Sequence, residues 1–244
     1  VMTQATGFAY EVVVVMDQKD WKGPAGEAIK SELASSVPGL PQAEPSLKIT
    51  YVQPKDFTGL LRYVRNILVV TIDPTAYTKV SVGYENNVWA RGQVVVSLKA
   101  PNTESIVEYS KTHEKALVNF FVKVEMNRAI EQLQKEYSMV VMDNLKSDLN
   151  VMLNAPANFT YYKDTTDFFW SSNNANTGRM DLIVYTFPYT DPNTFTEEYL
   201  VAKRDSVLKA NLPGSFPGSY MQTETRAGVE YTPITLNGKY CGLM

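Results

Sequence analysis

The run from Thr103 to Tyr137 contains neither Gly nor Pro and reads as one long amphipathic helix against which the other elements must pack. At ~1.5 Å per residue it would measure roughly 50 Å, enough to cross a small domain. Pro101 and Asn102 supply a start signal, and Glu104 in the first turn complements the positive helix end. Leu117, Val118, Phe121, Val122, Met126, Ala129, Ile130 and Leu133 make a broad apolar stripe, with Phe120 and Val124 on another flank. Glu131 and Lys135 mark a solvated side.

Ahead of this helix the pattern is strand, helix, strand, helix, strand. Tyr10 to Met16 is a continuous β-branched run, expected in the middle of a sheet. Asp17 to Gly23 turns the chain, and Pro24 opens a helix that Val37-Pro38-Gly39-Leu40-Pro41 ends. Leu47, Ile49 and Tyr51 alternate with polar residues, as in a half-buried strand near an edge. Pro54 starts a short helix through Val64, and Ile67 to Ile72 forms a third strand running into Asp73-Pro74. The crossovers are long enough for parallel pairing. Val80 to Trp89 and Gln93 to Leu98 have the spacing of an antiparallel hairpin.

Beyond the long helix, a second helical piece covers Ser138 to Leu149. Strand-like runs follow at Val151–Leu153, Phe159–Lys163, Phe168–Ser171 and Met180–Phe187, the last two separated by a polar hairpin loop. Thr194 with Glu197 has the form of a capping box for a helix to Asn211. The tail from Tyr220 reads as two strands around Thr232-Pro233 and Asn237-Gly238. The expected fold is therefore α+β, a mixed and mainly antiparallel sheet with the long helix across it. With no Gly/Ser-rich linker in sight, one domain over 1–244 is expected, its halves 1–100 and 138–244 joined through that helix.

Composition narrows the function classes. A chain of 244 residues with 44% hydrophobic and 20% charged residues can bury a substantial core. A net charge of -3 with scattered Lys and Arg offers no basic field, which disfavours nucleic acid as a partner. Cys241, the sole cysteine, excludes an intramolecular disulfide framework and Cys-rich zinc sites, and reads as a small buried hydrophobe. No run of about 18 apolar residues is present to span a bilayer.

Catalytic side chains are few. His113, the sole histidine, is followed by Glu114 and Lys115 and reads as a solvated helix residue, so no Ser-His or Cys-His pair is assigned. Gly23-Pro24-Ala25-Gly26 matches neither phosphate-binding glycine pattern, and no cofactor is expected. Asp17 and Asp20 follow one strand and Asp73 another, and the carboxyl ends of parallel strands are where ligands collect. These three are the catalytic candidates, as an acid/base pair or a hard-cation site. The simpler reading of an Asp before a turn or a Pro is a backbone cap, and no metal site is assigned. Tyr161, Tyr162, Phe168, Phe169, Trp170, Tyr185, Phe187 and Tyr189 lie on three expected strands, so one face could present rings suited to sugars, peptides or proteins. Tyr162, Trp170, Tyr185 and Tyr189 are the candidate binding residues. An aromatic core with ordinary cross-strand pairs is the plainer alternative.

Several segments together carry a family resemblance: Tyr10–Met16 with Trp21-Lys22-Gly23-Pro24, Val37-Pro38-Gly39-Leu40-Pro41-Gln42, Arg65–Val69, Phe168-Phe169-Trp170, Tyr185–Tyr189 and Asn237-Gly238-Lys239-Tyr240. The chain resembles an uncharacterised family of predicted lipoproteins, a domain of unknown function, from Bacteroides-like Gram-negative bacteria. The resemblance implies an address: a signal peptide and a lipidated cysteine upstream of Val1, and a lipid anchor as the link to a membrane. It also implies a Gly- and aromatic-rich segment beyond Met244 that this chain lacks. The expected function is a non-enzymatic, envelope-anchored binding or scaffold protein whose exposed aromatic face meets a protein or glycan partner. The rival expectation is a carboxylate-based hydrolase or transferase, with or without a divalent cation.

Overall fold

The computed structural model describes residues 2–244. The chain divides into two compact units, one formed by residues 1–38 and 42–128, the other by 39–41 and 129–244.

The first unit is built on a five-stranded sheet. Its strands are β1 (Glu11–Val15), β2 (Lys48–Val52), β3 (Asn66–Ile72), β4 (Ser81–Asn86) and β5 (Val94–Ala100), in the order β2-β1-β3-β5-β4. β1 runs parallel to β2 and β3, and β3 parallel to β5; β4 returns antiparallel along β5. The apolar run of β1 is interior because it is buried on both faces, whereas alternating β2 lies at an edge. Val12, Val14, Leu68, Val70, Val96 and Leu98 point to one face and pack against helices. Val13, Val15, Ile67 and Val95 point to the other, covered by Phe57, Leu61 and Trp89. The Pro54–Val64 segment, which supplies Phe57 and Leu61, forms two 3-10 turns where a short helix was expected.

After β1 come α1 (Gln18–Trp21) and α2 (Pro24–Leu33), the latter with Pro at its first turn. The two helices approach so closely that a Cβ on Gly26 would lie 1.9 Å from the Trp21 carbonyl oxygen, so glycine is required there.

The long helical run of Thr103 to Tyr137 is present, but in two pieces: α3 (Thr103–Thr112) and α4 (Ala116–Lys135). Asn102 caps α3 as expected, accepting from the Ser105 N–H at 2.9 Å. The break falls at His113–Lys115, where Lys115 takes φ 59°, a left-handed conformation costly for a residue with a Cβ. What offsets that cost comes from another helix. The buried carboxylate of Glu32, on α2, accepts the Leu117 N–H at 2.7 Å, with the Val118 N–H also directed at it, and so caps α4 from outside.

The buried side of α4 also departs from the expected stripe. Leu117, Val118 and Phe121 face the core, but the next buried position is Glu125, while Met126 and Ile130 are more than half exposed. Glu125 is 3% exposed. Its carboxylate meets Arg128 at 2.6 Å and Arg65 at 3.0 Å, and accepts the Asn66 amide at 2.7 Å. Asn66 also donates to the Glu11 carbonyl and accepts from Arg128, which donates in turn to the carbonyls of Arg65 and Gly92. The leading ends of β1, β3 and β5 are thereby tied to one helix face.

The second unit holds α5 (Met139–Leu149), a meander of β6 (Tyr161–Thr165), β7 (Phe168–Ser172) and β8 (Asp181–Tyr185), then α6 (Glu197–Asn211) and the hairpin β9 (Thr232–Leu236) and β10 (Lys239–Leu243). Ser138 caps α5 and donates to the Phe159 carbonyl at 2.6 Å. Val141, Leu145, Phe159 and Phe169 form its core. Asn237 and Gly238 both take positive φ, the requirement of a two-residue type I′ hairpin turn. Val151–Leu153, expected as a strand, lies outside the regular elements; Val151 and Leu153 instead pack as single side chains against the α5 core. The cap of α6 is Thr196, accepting from the Tyr199 N–H, and Thr194 sits in the preceding 3-10 turn. Over both units antiparallel pairings outnumber parallel ones, and the fold is α+β with mixed sheets.

Burial raises the Glu32 carboxyl above its ordinary range, against the lowering effect of the Leu117 and Val118 amides. A raised folded-state pKa contributes stability that is complete below the unfolded value and is lost as pH rises through the folded value. Glu32→Gln, which retains an acceptor for Leu117, should therefore be at least as stable as wild type at neutral pH and should lose this pH dependence. Glu32→Ala should cost about 1 kcal/mol through the lost cap. Urea unfolding over a pH series checks both; a Gln variant as weak as the Ala variant would contradict the capping role.

Candidate functional site

The three candidate carboxylates belong to turns. Asp17 is the N-cap of α1 and accepts the Lys19 N–H at 2.9 Å. Asp20 follows within that helix, its carboxyl raised by burial first and by neighbouring Asp17 second. Asp73 accepts the Thr75 hydroxyl at 2.7 Å, the Thr75 N–H at 2.8 Å and the Ala76 N–H at 3.2 Å. These bonds hold its carboxyl below the ordinary range, the Thr75 hydroxyl contributing most. Asp17 and Asp73 do follow adjacent parallel strands, β1 and β3. Each is occupied by its own backbone amides, the geometry of an Asx turn. Among the described residues, no group of three or more His, Cys, Asp or Glu side chains is placed to hold a metal ion.

His113 is exposed, ends α3 and stacks on Tyr109 at 4.3 Å. Cys241, expected as a small buried hydrophobe, is half-buried on β10, which pairs only with β9 among the described residues. One carboxylate pair escaped the sequence reading. Asp148, at the end of α5, and Asp164, on β6, share a hydrogen bond that raises Asp164, while the Ser147 hydroxyl lowers Asp148. The two lie on separate elements, so no spacing rule could have joined them.

The register of the second sheet decides what the aromatic candidates can do together. Tyr162, Ser171 and Leu182 are cross-strand partners, on the face of Phe169 and Val184 that packs on α5. Tyr162 stacks on Phe169 at 6.3 Å at the rim of that face. Trp170, paired with Lys163 and Ile183, and Tyr185, paired with Phe168, occupy the opposite face. This face too is partly occupied: Lys163 donates to the Asn211 carbonyl at the end of α6. Trp170 is half-buried, donating its indole N–H to Asp181 at 3.0 Å with the Arg179 guanidinium over its ring. Tyr185 is half-buried, and burial raises its hydroxyl pKa.

Tyr189 stands apart from these, 65% exposed, as the outer member of a chain of rings. It meets Phe195 edge-on at 5.7 Å, Phe195 meets Tyr240 edge-on at 5.1 Å, and the Tyr240 hydroxyl lies 3.4 Å from that of Tyr231. Tyr240 is 57% exposed. A second chain joins Tyr185, Phe187 and Tyr199, with the Lys203 ammonium 5.0 Å from the Phe187 centroid. Of the four candidate rings the structure brings Trp170 and Tyr185 to one face and leaves Tyr162 on the other. It gives Tyr189 partners that the sequence reading did not include: Phe195, from a 3-10 turn, and Tyr240, from the last hairpin. The Asn237-Gly238 turn was visible, but the meeting of its second strand with Phe195 is tertiary.

The first unit carries a groove of about 490 Å³ between residues 35–38 and 44–46 on one side and the start of α4 on the other. Tyr10, Val37, Pro38, Val118 and Val122 give it apolar walls, and Lys115 and Glu44 stand on its lining with opposite charges. No helix among the described residues is long and apolar enough to cross a membrane.

Because the Asp73 carboxyl is held below its ordinary range, the stability it confers is present above the unfolded pKa and fades as pH falls through the folded one. Asp73→Ala should lower the thermal midpoint at neutral pH, and the gap to wild type should close in acid. Calorimetry over a pH series reads this; a midpoint unchanged at neutral pH would contradict the turn role.

Residues 5–134 match the family model described as Domain of unknown function (DUF8532), and residues 138–244 match Domain of unknown function (DUF4837). No curated protein and no solved structure matches the chain. The first of these models spans more than half of the sequence, and the chain belongs to the family Domain of unknown function (DUF8532).

Proposed function

We propose that the protein is a non-enzymatic binding or scaffold protein of the bacterial cell envelope, and that it meets a protein or glycan partner through exposed aromatic rings of its second unit. The observation that carries this reading is the chain Tyr189–Phe195–Tyr240, two outer rings more than half exposed and held in edge contact by a half-buried third. Pre-positioned tyrosines offer large contact area at little conformational cost, and their hydroxyls add hydrogen bonds to a partner's polar groups. The envelope address and the lipid anchor upstream of Val1 are supported by the lipoprotein resemblance of the Tyr10–Met16, Phe168–Trp170 and Asn237–Tyr240 segments.

The carboxylate-based alternative has one feature in its favour, the Asp148–Asp164 pair, with one carboxyl raised and the other lowered as in an acid/base couple. Asp148 is exposed and Asp164 only half-buried, where water competes with a substrate for both. Asp17, Asp20 and Asp73 lend this alternative less, since Asp17 and Asp73 cap turns and Asp20 sits inside the short helix that Asp17 caps.

A photo-crosslinking phenylalanine analogue at position 240, in the full-length protein in its own envelope, tests the reading. It should give a discrete adduct that the same probe at exposed Thr50, on the first unit, does not. Tyr189→Ala should abolish that adduct while changing stability by less than about 0.5 kcal/mol, as expected of an exposed ring. An adduct indifferent to Tyr189, or none at all, would overturn it. Palmitate labelling of the full-length product tests the anchor separately.

A further inference from the structure

Among the described residues, the non-glycine positions with left-handed backbone are Tyr10, Asn87, Lys115, Asn150, Asn174 and Asn237. Asparagine adopts that conformation readily, because its short amide bonds locally to the backbone. Tyr10 and Lys115, both at φ 59°, hold it against the crowding of Cβ and a carbonyl oxygen. These two residues lie far apart in sequence, yet both line the groove of about 490 Å³ at the start of α4. Each is fixed by a regular element: the Tyr10 carbonyl accepts the Lys48 N–H at the head of β2, and the Lys115 carbonyl accepts the Asn119 N–H in the first turn of α4, both at 2.9 Å. Glycine would make either turn with less strain. What a tyrosine and a lysine add there is a side chain on the groove, and strained backbone of this kind collects at ligand sites.

The groove is apolar with one charge of each sign. Val118 and Val122 line it from α4, and Val37 lines it from the segment after α2. Lys115 and Glu44 line it too, both exposed, and neither forms an ion pair with the other or with any described residue. A purely anionic ligand drawn to Lys115 would meet the Glu44 carboxylate on the same lining, and a purely cationic one would meet Lys115. Both charges are answered together only by a zwitterion. Free amino acids are zwitterions, but one alone fills a small part of this volume, which lies within the ~300–1,000 Å³ of small-ligand sites.

We propose that this groove binds a short apolar peptide with free ends, its carboxylate on the Lys115 ammonium, its ammonium on the Glu44 carboxylate and its side chains against Val37, Val118 and Val122. The site lies wholly on the first unit and is independent of the aromatic rings of the second.

Backbone amide shifts of the intact, isotope-labelled chain, titrated with the tripeptide alanyl-leucyl-alanine, test this. The N–H signals of Ser46, Asn119 and Val122 should move and saturate, while those of β7 stay in place. Acetylating the amino end of the peptide, or converting its carboxyl end to an amide, should each weaken binding about fivefold, the upper range for an exposed ion pair. Glu44→Gln should erase the penalty of acetylation and keep that of amidation, and Lys115→Gly should do the reverse. Lys115→Gly should also raise the thermal midpoint, since glycine takes the left-handed turn without strain, so its binding defect is not a folding defect. The absence of saturable shifts overturns the proposal, as do end-group penalties that both variants leave unchanged. Free leucine or decanoate bound as tightly as the tripeptide would overturn it in favour of another ligand class. A lower midpoint for Lys115→Gly would overturn it as well, by showing that the lysine serves the fold.

Discussion

The first unit depends on one buried carboxylate. Glu125 lies on the core side of α4, at a position where the helix would ordinarily carry an apolar residue, and removing such a charge from water costs several kcal/mol. Arg65 and Arg128 compensate it, and the Asn66 amide fills a further acceptor site. The same groups also satisfy the carbonyls of Glu11, Arg65 and Gly92 at the leading ends of β1, β3 and β5. One network therefore sets the position of α4 over the sheet. A purely apolar contact would leave the helix freer to slide, because hydrophobic packing has little directional preference.

A second carboxylate acts at the other end of the same helix. Glu32 supplies the cap that α4 lacks in its own sequence, and with it the chain can turn through left-handed Lys115. The two acidic residues differ in consequence. Glu125 is surrounded by cations and donors, while burial dominates at Glu32 and one of its oxygens has no hydrogen-bond partner among the described residues. The acid-side stability of the unit therefore concentrates at Glu32 and its acid sensitivity at groups such as Asp73.

Much of the fold was legible in the residues. The β-branched run of β1 announced an interior strand, Pro24 an N-terminal turn, Asn102 a cap, and Asn237-Gly238 a hairpin, each through a rule that acts within a few residues. The break in the long helix was not legible, since no Gly or Pro marks it and its cap lies on α2, far away in sequence. Periodicity likewise placed Met126 and Ile130 in the stripe and passed over Glu125, because a burial pattern counts apolar residues and cannot see a charge whose partners include Arg65 and Asn66, far away in sequence at the start of β3. The site divides in the same way. Asp17 and Asp73 behave as residues before turns ordinarily do, and that reading was available from the start. Tyr189 was named from its place in an aromatic segment, but its partners Phe195 and Tyr240 are joined to it only by the tertiary fold. Strand alternation could have separated Tyr162 from Trp170, had the pairing of β6 with β7 been known.

The most direct measurement is a double-mutant cycle on Glu125 and Arg128, read by native-state amide exchange at Val14, Leu68 and Val96, in the middle of the first sheet. If the buried carboxylate organises the unit, Glu125→Ala and Arg128→Ala should each lower the opening free energy of all three strands, by about 3 kcal/mol or more. The double variant should then lose at least about 1 kcal/mol less than the two single losses together, because each single change strands the other's charge. Losses that simply add, or that stay confined to α4 while the three strands keep their protection, would show that the sheet and the helix are held by their apolar faces alone.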